Sequence, residues 1–246
     1  RYASRGLGDV YKRQLYKLKN TYLDPLPSYI IPDTKRVHSS FNQTMTATGR
    51  LSTSSPNFQN IPIRTEDGKE IRKAIKAQSN EYQIFSADYS QVELRVMAHL
   101  SGDESLISAL NNGEDIHTFT AKNIFNVDSD DMVLPEMRRI AKIVNFGIMY
   151  GAGPFRLSQE LDIPFGEAKQ IKDSYFQKYQ GIEKYIENSK LKIKETKSVE
   201  TLLGRKRAVW DSDSQNKIRR DAAERMAINM PIQGTAAEMI KLAMIK

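Results

Sequence analysis

The chain has 246 residues, no cysteine, 39% hydrophobic residues and a formal net charge of +7. This length is enough for one or two domains with a sizeable core. The absence of an apolar run of membrane-spanning length and of a signal-peptide pattern predicts a soluble protein without a membrane partner. The absence of cysteine is typical of the reducing cytoplasm, where we expect the protein to act. The positive charge suits a polyanionic partner such as nucleic acid.

The part of the chain before residue 88 contains several short segments with different predicted structures. Residues 1–14 have no hydrophobic period, and we interpret them as a non-native or disordered leader. Residues 15–24 are predicted to form the end of a helix. The sequence Pro25-Leu26-Pro27 ends that helix and opens an extended stretch, rich in Ser, Thr and Asn, that runs to about Arg64. Strand segments are predicted from Glu70 to Ala87, with Tyr82–Ala87 as the last of them.

A carboxylate follows the last predicted strand. Asp88 would be fixed by the sheet and exposed at its edge, a position suited to holding Mg²⁺ against a substrate phosphate. An aspartate after a strand is also a common turn residue or helix N-cap, so this position alone leaves both interpretations open. Tyr89-Ser90-Gln91 then leads into an amphipathic helix predicted over residues 92–100.

The region from residue 105 to residue 225 has a mostly helical pattern. Helix breaks are predicted at Asn111-Asn112-Gly113, Pro135, Gly151-Ala152-Gly153-Pro154, Pro164 and Gly181. A strand hairpin is predicted around residues 199–205, and a last helix from about Ile232.

The run from Met137 to Gly151 is the most informative segment for function. Helical spacing places Arg138, Lys142, Phe146 and Met149 in one stripe, with Arg139 and Tyr150 at its edge. Arg138 and Phe146 are separated by roughly 12 Å of helix, about the reach from the phosphates of a nucleoside triphosphate to its sugar and base. Guanidinium and ammonium groups bind phosphate oxygens, and aromatic rings provide a stacking surface. A solvated basic patch beside a core aromatic would give the same spacing.

Several segments, in the same order, resemble the polymerase domain of family A DNA polymerases, the bacterial DNA polymerase I group. They are Thr46–Ser52, Pro56–Arg64, Asp88–Arg95, Arg138–Gly151 and Asn229–Ala237. The resemblance extends from about Leu15 to Lys246. It implies a mostly helical α+β chain that forms an incomplete right-hand polymerase fold. In that fold residues 15–24 would end the thumb, 25–104 would form the first part of the palm, 105–228 the fingers, and 229–246 the start of a helix that returns to the palm.

The resemblance also implies an activity, which is template-directed DNA synthesis in the 5′–3′ direction for replication or repair. The expected partners of this DNA-dependent DNA polymerase are primer–template DNA and deoxynucleoside triphosphates, its cofactor is a pair of Mg²⁺ ions, and it is expected to be a monomer. Asp88 and the Tyr89 carbonyl would bind metal, and Asp88, Lys142 and Arg138 would be catalytic. The implied nucleotide-binding residues are Gln91, Glu93, His117, Arg138, Lys142, Phe146 and Tyr150. The implied DNA contacts are Arg50, Asn57, Gln59, Asn60, Arg64, Gly151 and Gln233.

Some of these positions also have simpler interpretations. In the family the glutamate at Glu93 fills the space that a ribose 2′-hydroxyl would need, whereas an ordinary helix-surface glutamate would pair with Arg95. Phe146 is expected to disfavour dideoxynucleotides, which tyrosine at this position would admit. His117 would contact the outer phosphates, or would be a helix residue without a ligand. Gly151 would let the template approach closely, or would serve as a helix C-cap.

One motif of the family is not found in these 246 residues. The second catalytic motif, a His-Asp-Glu turn on a palm hairpin, is absent from the sequence. We therefore expect a polymerase fragment that binds nucleotide or DNA weakly and does not polymerise by itself. The alternative is a non-catalytic, basic nucleic-acid-binding module. A single-subunit RNA polymerase shares part of the finger-helix pattern, but Glu93 and the segment 57–64 argue against it.

Overall fold

The computed structural model describes residues 11–62 and 66–246, and the chain divides into two compact units, Arg1–Asp88 and Tyr89–Lys246. Residues 1–10 of the predicted leader and Arg64 lie outside the described residues. The boundary between the units falls within the motif around Asp88.

The first unit consists of short elements around a small core. Residues 11–18 are helical and continue into a π-helical turn, Lys19–Leu23, so residues 11–14 of the predicted leader have regular structure. A 3₁₀ turn (Leu26–Tyr29) and a second one (Phe58–Asn60) flank two antiparallel hairpins. The strands are β1 (Ile30–Ile31), β2 (Arg36–Val37), β3 (Ser40–Asn42) and β4 (Ser52–Ser54). The core of the unit is formed by Tyr22, Ile61 and Ile71.

The strands predicted between Glu70 and Ala87 are wrong. Helix α1 (Glu66–Lys73) occupies the start of this region, with acidic residues in its first turn and basic residues in its last, which complements the helix dipole. Residues 82–88 have no regular secondary structure. Within the described residues no segment pairs with them, and a strand without a partner leaves its backbone donors and acceptors unpaired. The side chain of Phe85 is accordingly 89% exposed.

The second unit is a helical assembly with one hairpin. Its helices are α2 (Val92–Ser101), α3 (Glu104–Asn111), α4 (Ile116–Phe125), α5 (Pro135–Met149), α6 (Pro154–Leu161), α7 (Phe165–Lys178), α8 (Gln180–Thr196) and α9 (Lys217–Ile245). Strands β5 (Ser198–Glu200) and β6 (Lys206–Ala208) form the hairpin predicted around residues 199–205. Short 3₁₀ turns cover Asp130–Met132 and Trp210–Asp213.

The helix boundaries follow from local chemistry. The side chains of Asp103, Asp115 and Asn216 accept backbone N–H bonds at the starts of α3, α4 and α9. Pro135 and Pro154 stand in the first turns of α5 and α6, where a missing N–H costs no hydrogen bond. The starts of α4, α5 and α6 confirm the breaks predicted at residues 111–113, at Pro135 and at residues 151–154.

Two predicted boundaries were wrong. The break expected at Gly181 falls at Tyr179, and Gly181 is the second residue of α8. The last helix begins at Lys217, not near Ile232, because the Asn216 cap starts it early and Pro231 is accommodated inside it. One turn before this proline, the hydroxyl of Tyr185 donates to the carbonyl of Ile228 at 3.1 Å.

The main core of the second unit is formed by side chains from all of its helices, α2 to α9. Fully buried side chains such as Met97, Ile116, Val144, Leu157 and Ile232 form it. Helices α4 and α5 pack closely along each other, and this pairing positions the site described below. Within the residues that the structure describes, no helix has the length and apolar character needed to cross a membrane.

Candidate functional site

Helix α5 presents cations near its start and aromatic rings near its end. Arg138 and Lys142 are exposed, whereas Phe146 and Tyr150 are half-buried, with their rings stacked at 6.0 Å between centroids. Met149, predicted to share this stripe, is buried in the main core. The last turn of α5 packs against α6, so a side chain that continues the stripe there is covered.

The start of α4 adds a carboxylate and an imidazole to this face. The carboxylate of Asp115 accepts from the backbone N–H of Thr118 at 2.8 Å and from the guanidinium of Arg138 at 2.6 Å. Burial opposes ionisation of Asp115, but the hydrogen bonds from Arg138 and Thr118 outweigh it and lower the pKa of the carboxyl group. Arg138 is therefore held in place by α4 rather than extended freely into solvent.

His117 is the second residue of α4, two residues after Asp115. Its ring centroid is 5.6 Å from that of Phe146, and its side chain is almost fully buried. Burial is the largest cause of its lowered pKa, and the positive charges of Arg138 and Lys142 lower it further, while Asp115 acts in the opposite direction. The structure thus brings His117 together with the residues of α5, and it keeps the imidazole neutral.

Glu93 reaches the same group of residues from α2. The hydroxyl of Tyr150 donates to the carboxylate of Glu93. The Arg95 guanidinium, the partner expected for an ordinary surface glutamate, donates through Nε to the carbonyl of Ser90. His117, Phe146, Tyr150 and Glu93 therefore form a continuous row of contacts.

Two further predicted residues occupy special backbone positions. Gln91 stands at the N-cap of α2 in the left-handed region, with φ of 54°. Gly151 follows α5 with φ of 76°, and a Cβ at this position would lie 3.1 Å from the side chain of Arg225. Together with the bond from the Ala152 N–H to the carbonyl of Gly147, this geometry is that of a C-terminal glycine of a helix.

Asp88 and Tyr89 are both exposed and stand at the boundary between the two units. Within residues 11–62 and 66–246, no group of three or more acidic, histidine or cysteine side chains is arranged to hold a metal. Two other acids of the second unit have structural contacts. Asp103 caps α3 and α8, and Glu238 accepts from Thr201 and Arg205.

The predicted DNA-contacting residues of the first unit lie close together in sequence around β4. Arg50 and Asn60 are exposed. Asn57 caps the following 3₁₀ turn by accepting from the Gln59 N–H at 3.0 Å, and the Gln59 side chain donates to the carbonyl of Leu51. In the second unit, Gln233 is half-buried on α9.

Sequence reasoning missed three polar residues behind His117. Thr120, Asn145 and Tyr179 are each 1% exposed and hydrogen-bonded to one another or to the imidazole. A signal was present in the sequence, because Asn145 interrupts the apolar face of α5 at a core position. A buried amide requires hydrogen-bond partners, which an apolar core does not supply.

Comparison with known proteins identifies the family of the chain. The sequence model of DNA polymerase family A matches residues 10–246. The thermostable DNA polymerase I of Thermus caldophilus is 54% identical over 234 residues, which are 95% of this chain and 28% of that protein. DNA polymerase I of Bacillus subtilis is 49% identical over 95% of this chain and 26% of its own length. The chain thus spans about a quarter of the length of these relatives.

A solved structure extends the likeness to the fold. The polymerase domain of Pol1 from M. smegmatis, in complex with DNA primer–template and dNTP, superposes with a TM-score of 0.88 at 44% identity. The match covers 95% of this chain and 41% of that one. The expected mostly helical, partial right-hand polymerase fold is confirmed.

Proposed function

The chain belongs to DNA polymerase family A, and we propose that it supplies the nucleotide-binding part of an enzyme that extends a DNA primer along a template. The observation that carries this proposal is the row of residues on α5 and its neighbours. Exposed cations stand at one end and stacked rings at the other, bordered by His117 and Glu93.

The cationic end is suited to a triphosphate. Lys142 offers an exposed point charge, and Arg138 offers a planar fork that fits phosphate oxygens. Arg138 is already engaged by Asp115 at 2.6 Å, so a triphosphate would exchange one anionic partner for a more highly charged one. We propose that Lys142 also stabilises charge on the leaving pyrophosphate, and that His117 contacts the outer phosphates.

The aromatic end is suited to the sugar and base. Phe146 and Tyr150 offer a stacked surface, and the Tyr150 hydroxyl fixes the carboxylate of Glu93 beside it. We propose that Glu93, with Gln91 nearby in sequence, lines the sugar site. A fixed side chain there rejects a ribose because the extra hydroxyl would clash and remain unpaired.

Family A DNA polymerases depend on divalent metal ions, and oxygen donors are the ligands that Mg²⁺ prefers. We propose that the carboxylate of Asp88 and the backbone carbonyl of Tyr89 are ligands for Mg²⁺ in this chain. Bound ions in such sites stabilise the attacking and leaving oxygens of phosphoryl transfer. A single carboxylate leaves most of the charge of two ions uncompensated.

We also propose which residues contact the primer–template duplex. Side chains that donate hydrogen bonds suit a partner of any sequence, since phosphates and minor-groove acceptors occur in every base pair. We propose this role for Arg50, Asn57, Gln59, Asn60, Arg64 and Gln233, with close approach of the template at Gly151. We further propose that residues 15–24, 25–104, 105–228 and 229–246 correspond to thumb, first palm part, fingers and returning palm helix.

Primer extension with Mg²⁺ and four deoxynucleotides tests the proposal. The assay compares the 246-residue chain with a chimera in which the chain replaces the matching segment of the Bacillus subtilis enzyme. We expect the chimera to extend the primer and to lose this activity in Asp88→Ala but not in Asp33→Ala, an exposed carboxylate of the same unit. For the 246-residue chain we predict binding without extension.

Different results would assign a different function. A correctly folded chimera that binds primer–template but does not extend it would favour the non-catalytic nucleic-acid-binding module. Equal activity of Asp88→Ala and Asp33→Ala would refute the metal-binding role of Asp88.

A further inference from the structure

A buried chain of hydrogen bonds connects His117 to the interior of the second unit. The hydroxyl of Tyr179, between α7 and α8, lies 2.9 Å from the hydroxyl of Thr120 on α4. The Thr120 hydroxyl donates to the side-chain oxygen of Asn145 at 3.1 Å. The amide nitrogen of Asn145 lies 3.1 Å from Nδ1 of His117.

The direction of donation along this chain follows from the number of protons. Thr120 has one hydroxyl proton, which it can give either to Asn145 or to Tyr179. Among the described residues, Thr120 is the one hydrogen-bond partner of the Tyr179 hydroxyl. If Thr120 donated to Tyr179, the tyrosine proton would be buried without an acceptor. Tyr179 therefore donates to Thr120, and Thr120 donates to Asn145.

This direction fixes the orientation of the amide and the state of the imidazole. Because the oxygen of Asn145 accepts from Thr120, its NH₂ group faces His117 and donates to Nδ1. A ring nitrogen that accepts a hydrogen bond carries no proton. The neutral imidazole then carries its single proton on Nε2.

We propose that Tyr179, Thr120 and Asn145 are positioning residues that hold His117 as the Nε2–H tautomer, with that N–H serving as a donor to an anionic oxygen of the triphosphate. The inference depends on the proposed nucleotide site for the identity of the acceptor. In this arrangement Arg138 and Lys142 supply charge, and His117 supplies a neutral donor of fixed orientation.

The surroundings of His117 agree with a neutral ring. Arg138 and Lys142 on α5 and burial all oppose a second proton, and Asp115 on α4 is the one group that favours it. The carboxylate of Asp115 is itself paired with Arg138 and accepts from the backbone N–H of Thr118, so its charge is already compensated.

Nitrogen-15 NMR of histidine side chains tests the assignment without any nucleotide, because the shifts of the two ring nitrogens distinguish the tautomers. The His117 signal is identified by its loss in His117→Gln. We expect Nε2–H in the wild-type chain at neutral pH. In Asn145→Asp the side chain accepts on both oxygens, so we expect the proton to move to Nδ1 and the pKa of His117 to rise. Asn123→Asp, at an exposed amide on α4, the helix of His117, should change neither.

Asn145→Asp places a new carboxylate in the core, so two further variants test the same hydrogen bonds without adding a charge. Tyr179→Phe and Thr120→Val remove one hydroxyl each with little change in shape. Each frees the amide of Asn145 to turn over, so we expect a mixture of the two tautomers. A wild-type Nδ1–H ring, or an unchanged single tautomer in both variants, would overturn the proposed chain of hydrogen bonds.

Binding of dATP, measured by equilibrium dialysis, tests the role of the donor. The Nδ1–H ring would present a lone pair to the phosphate, so Asn145→Asp should weaken dATP binding by about tenfold or more relative to Asn123→Asp. Tautomer inversion with unchanged dATP affinity would overturn the donor role. A wild-type chain that does not bind dATP would refute the proposed nucleotide site, while the NMR result would still decide the tautomer.

Discussion

Substitution of Gly181 by alanine is expected to destabilise the second unit, although alanine is the better helix former. Gly181 is the second residue of α8, and its N–H donates to the carboxylate of Asp103 at 2.8 Å. A Cβ at this position would lie 2.7 Å from the Cα of Asp103 and 2.9 Å from its Cβ. Real Cβ atoms do not approach backbone atoms this closely, so one of the two helix starts must move.

The size of the effect follows from three contributions. Overpacking of a tight contact costs about 1–3 kcal/mol. Displacement of Asp103, which is buried and also caps α3 through the Leu106 N–H, weakens charge-assisted bonds of about 1.5 kcal/mol each. Replacement of glycine by alanine inside a helix returns about 1 kcal/mol. The net loss is therefore about 2 kcal/mol in the free energy of unfolding.

Gly166→Ala provides a matched control, because Gly166 is also the second residue of its helix, α7. A Cβ at Gly166 would meet no atom within 4 Å, so this substitution should be neutral or stabilise the chain. Urea unfolding of both variants, followed by far-UV circular dichroism, measures the difference. For a unit of this size a loss of about 2 kcal/mol also lowers Tm by about 4–8 °C. If both variants were equally stable, the reasoning about Asp103 would be refuted.

Three further predictions concern the candidate site. In the active chimera, Phe146→Tyr should raise the ratio of dideoxy- to deoxynucleotide incorporation, and an unchanged ratio would contradict the role of Phe146. Glu93→Ala should raise ribonucleotide incorporation, whereas the exposed Glu104→Ala should not, and equal ratios would remove Glu93 from the sugar site. Folding lowers the pKa of His117 below 6.5, so the unfolded chain binds more protons between the two pKa values. Stability should therefore be fully present above about pH 6.5 and decline as pH falls towards the folded pKa. His117→Gln should remove this part of the slope in urea unfolding, and an unchanged slope would show that His117 is not its source.

Local sequence signals predicted most of the second unit. The predicted breaks at residues 111–113, at Pro135 and at residues 151–154 mark the starts of three helices, and the hairpin predicted around residues 199–205 is present. The cation-to-aromatic spacing of α5 was also predictable, because it depends only on helical geometry. Such features are determined within a few residues and do not require knowledge of the tertiary structure.

Features that depend on distant partners were not predictable. Tyr82–Ala87 has the alternation of a strand, but a strand forms only where another segment pairs with it. Met149 continues the α5 stripe by spacing, but it is buried in the main core. The hydrogen-bond chain behind His117 joins residues far apart in sequence, and no local pattern relates Tyr179 to Thr120. The sequence shows a polar residue, Asn145, at a core position of α5, but it does not show which residues bind it.

The contact between Tyr150 and Glu93 has a consequence for how helices α5 and α2 are coupled. Tyr150 follows the end of α5, whereas Glu93 belongs to α2, so the hydrogen bond links the position of one helix to the conformation of a carboxylate on another. A ligand that binds more tightly when this hydrogen bond is formed stabilises the hydrogen bond. By thermodynamic linkage, the formed hydrogen bond raises the affinity for that ligand by the same factor. The proposed discrimination against ribonucleotides at Glu93 therefore depends on both α5 and α2. We expect it to change with substitutions that shift α5, even where they do not contact the carboxylate.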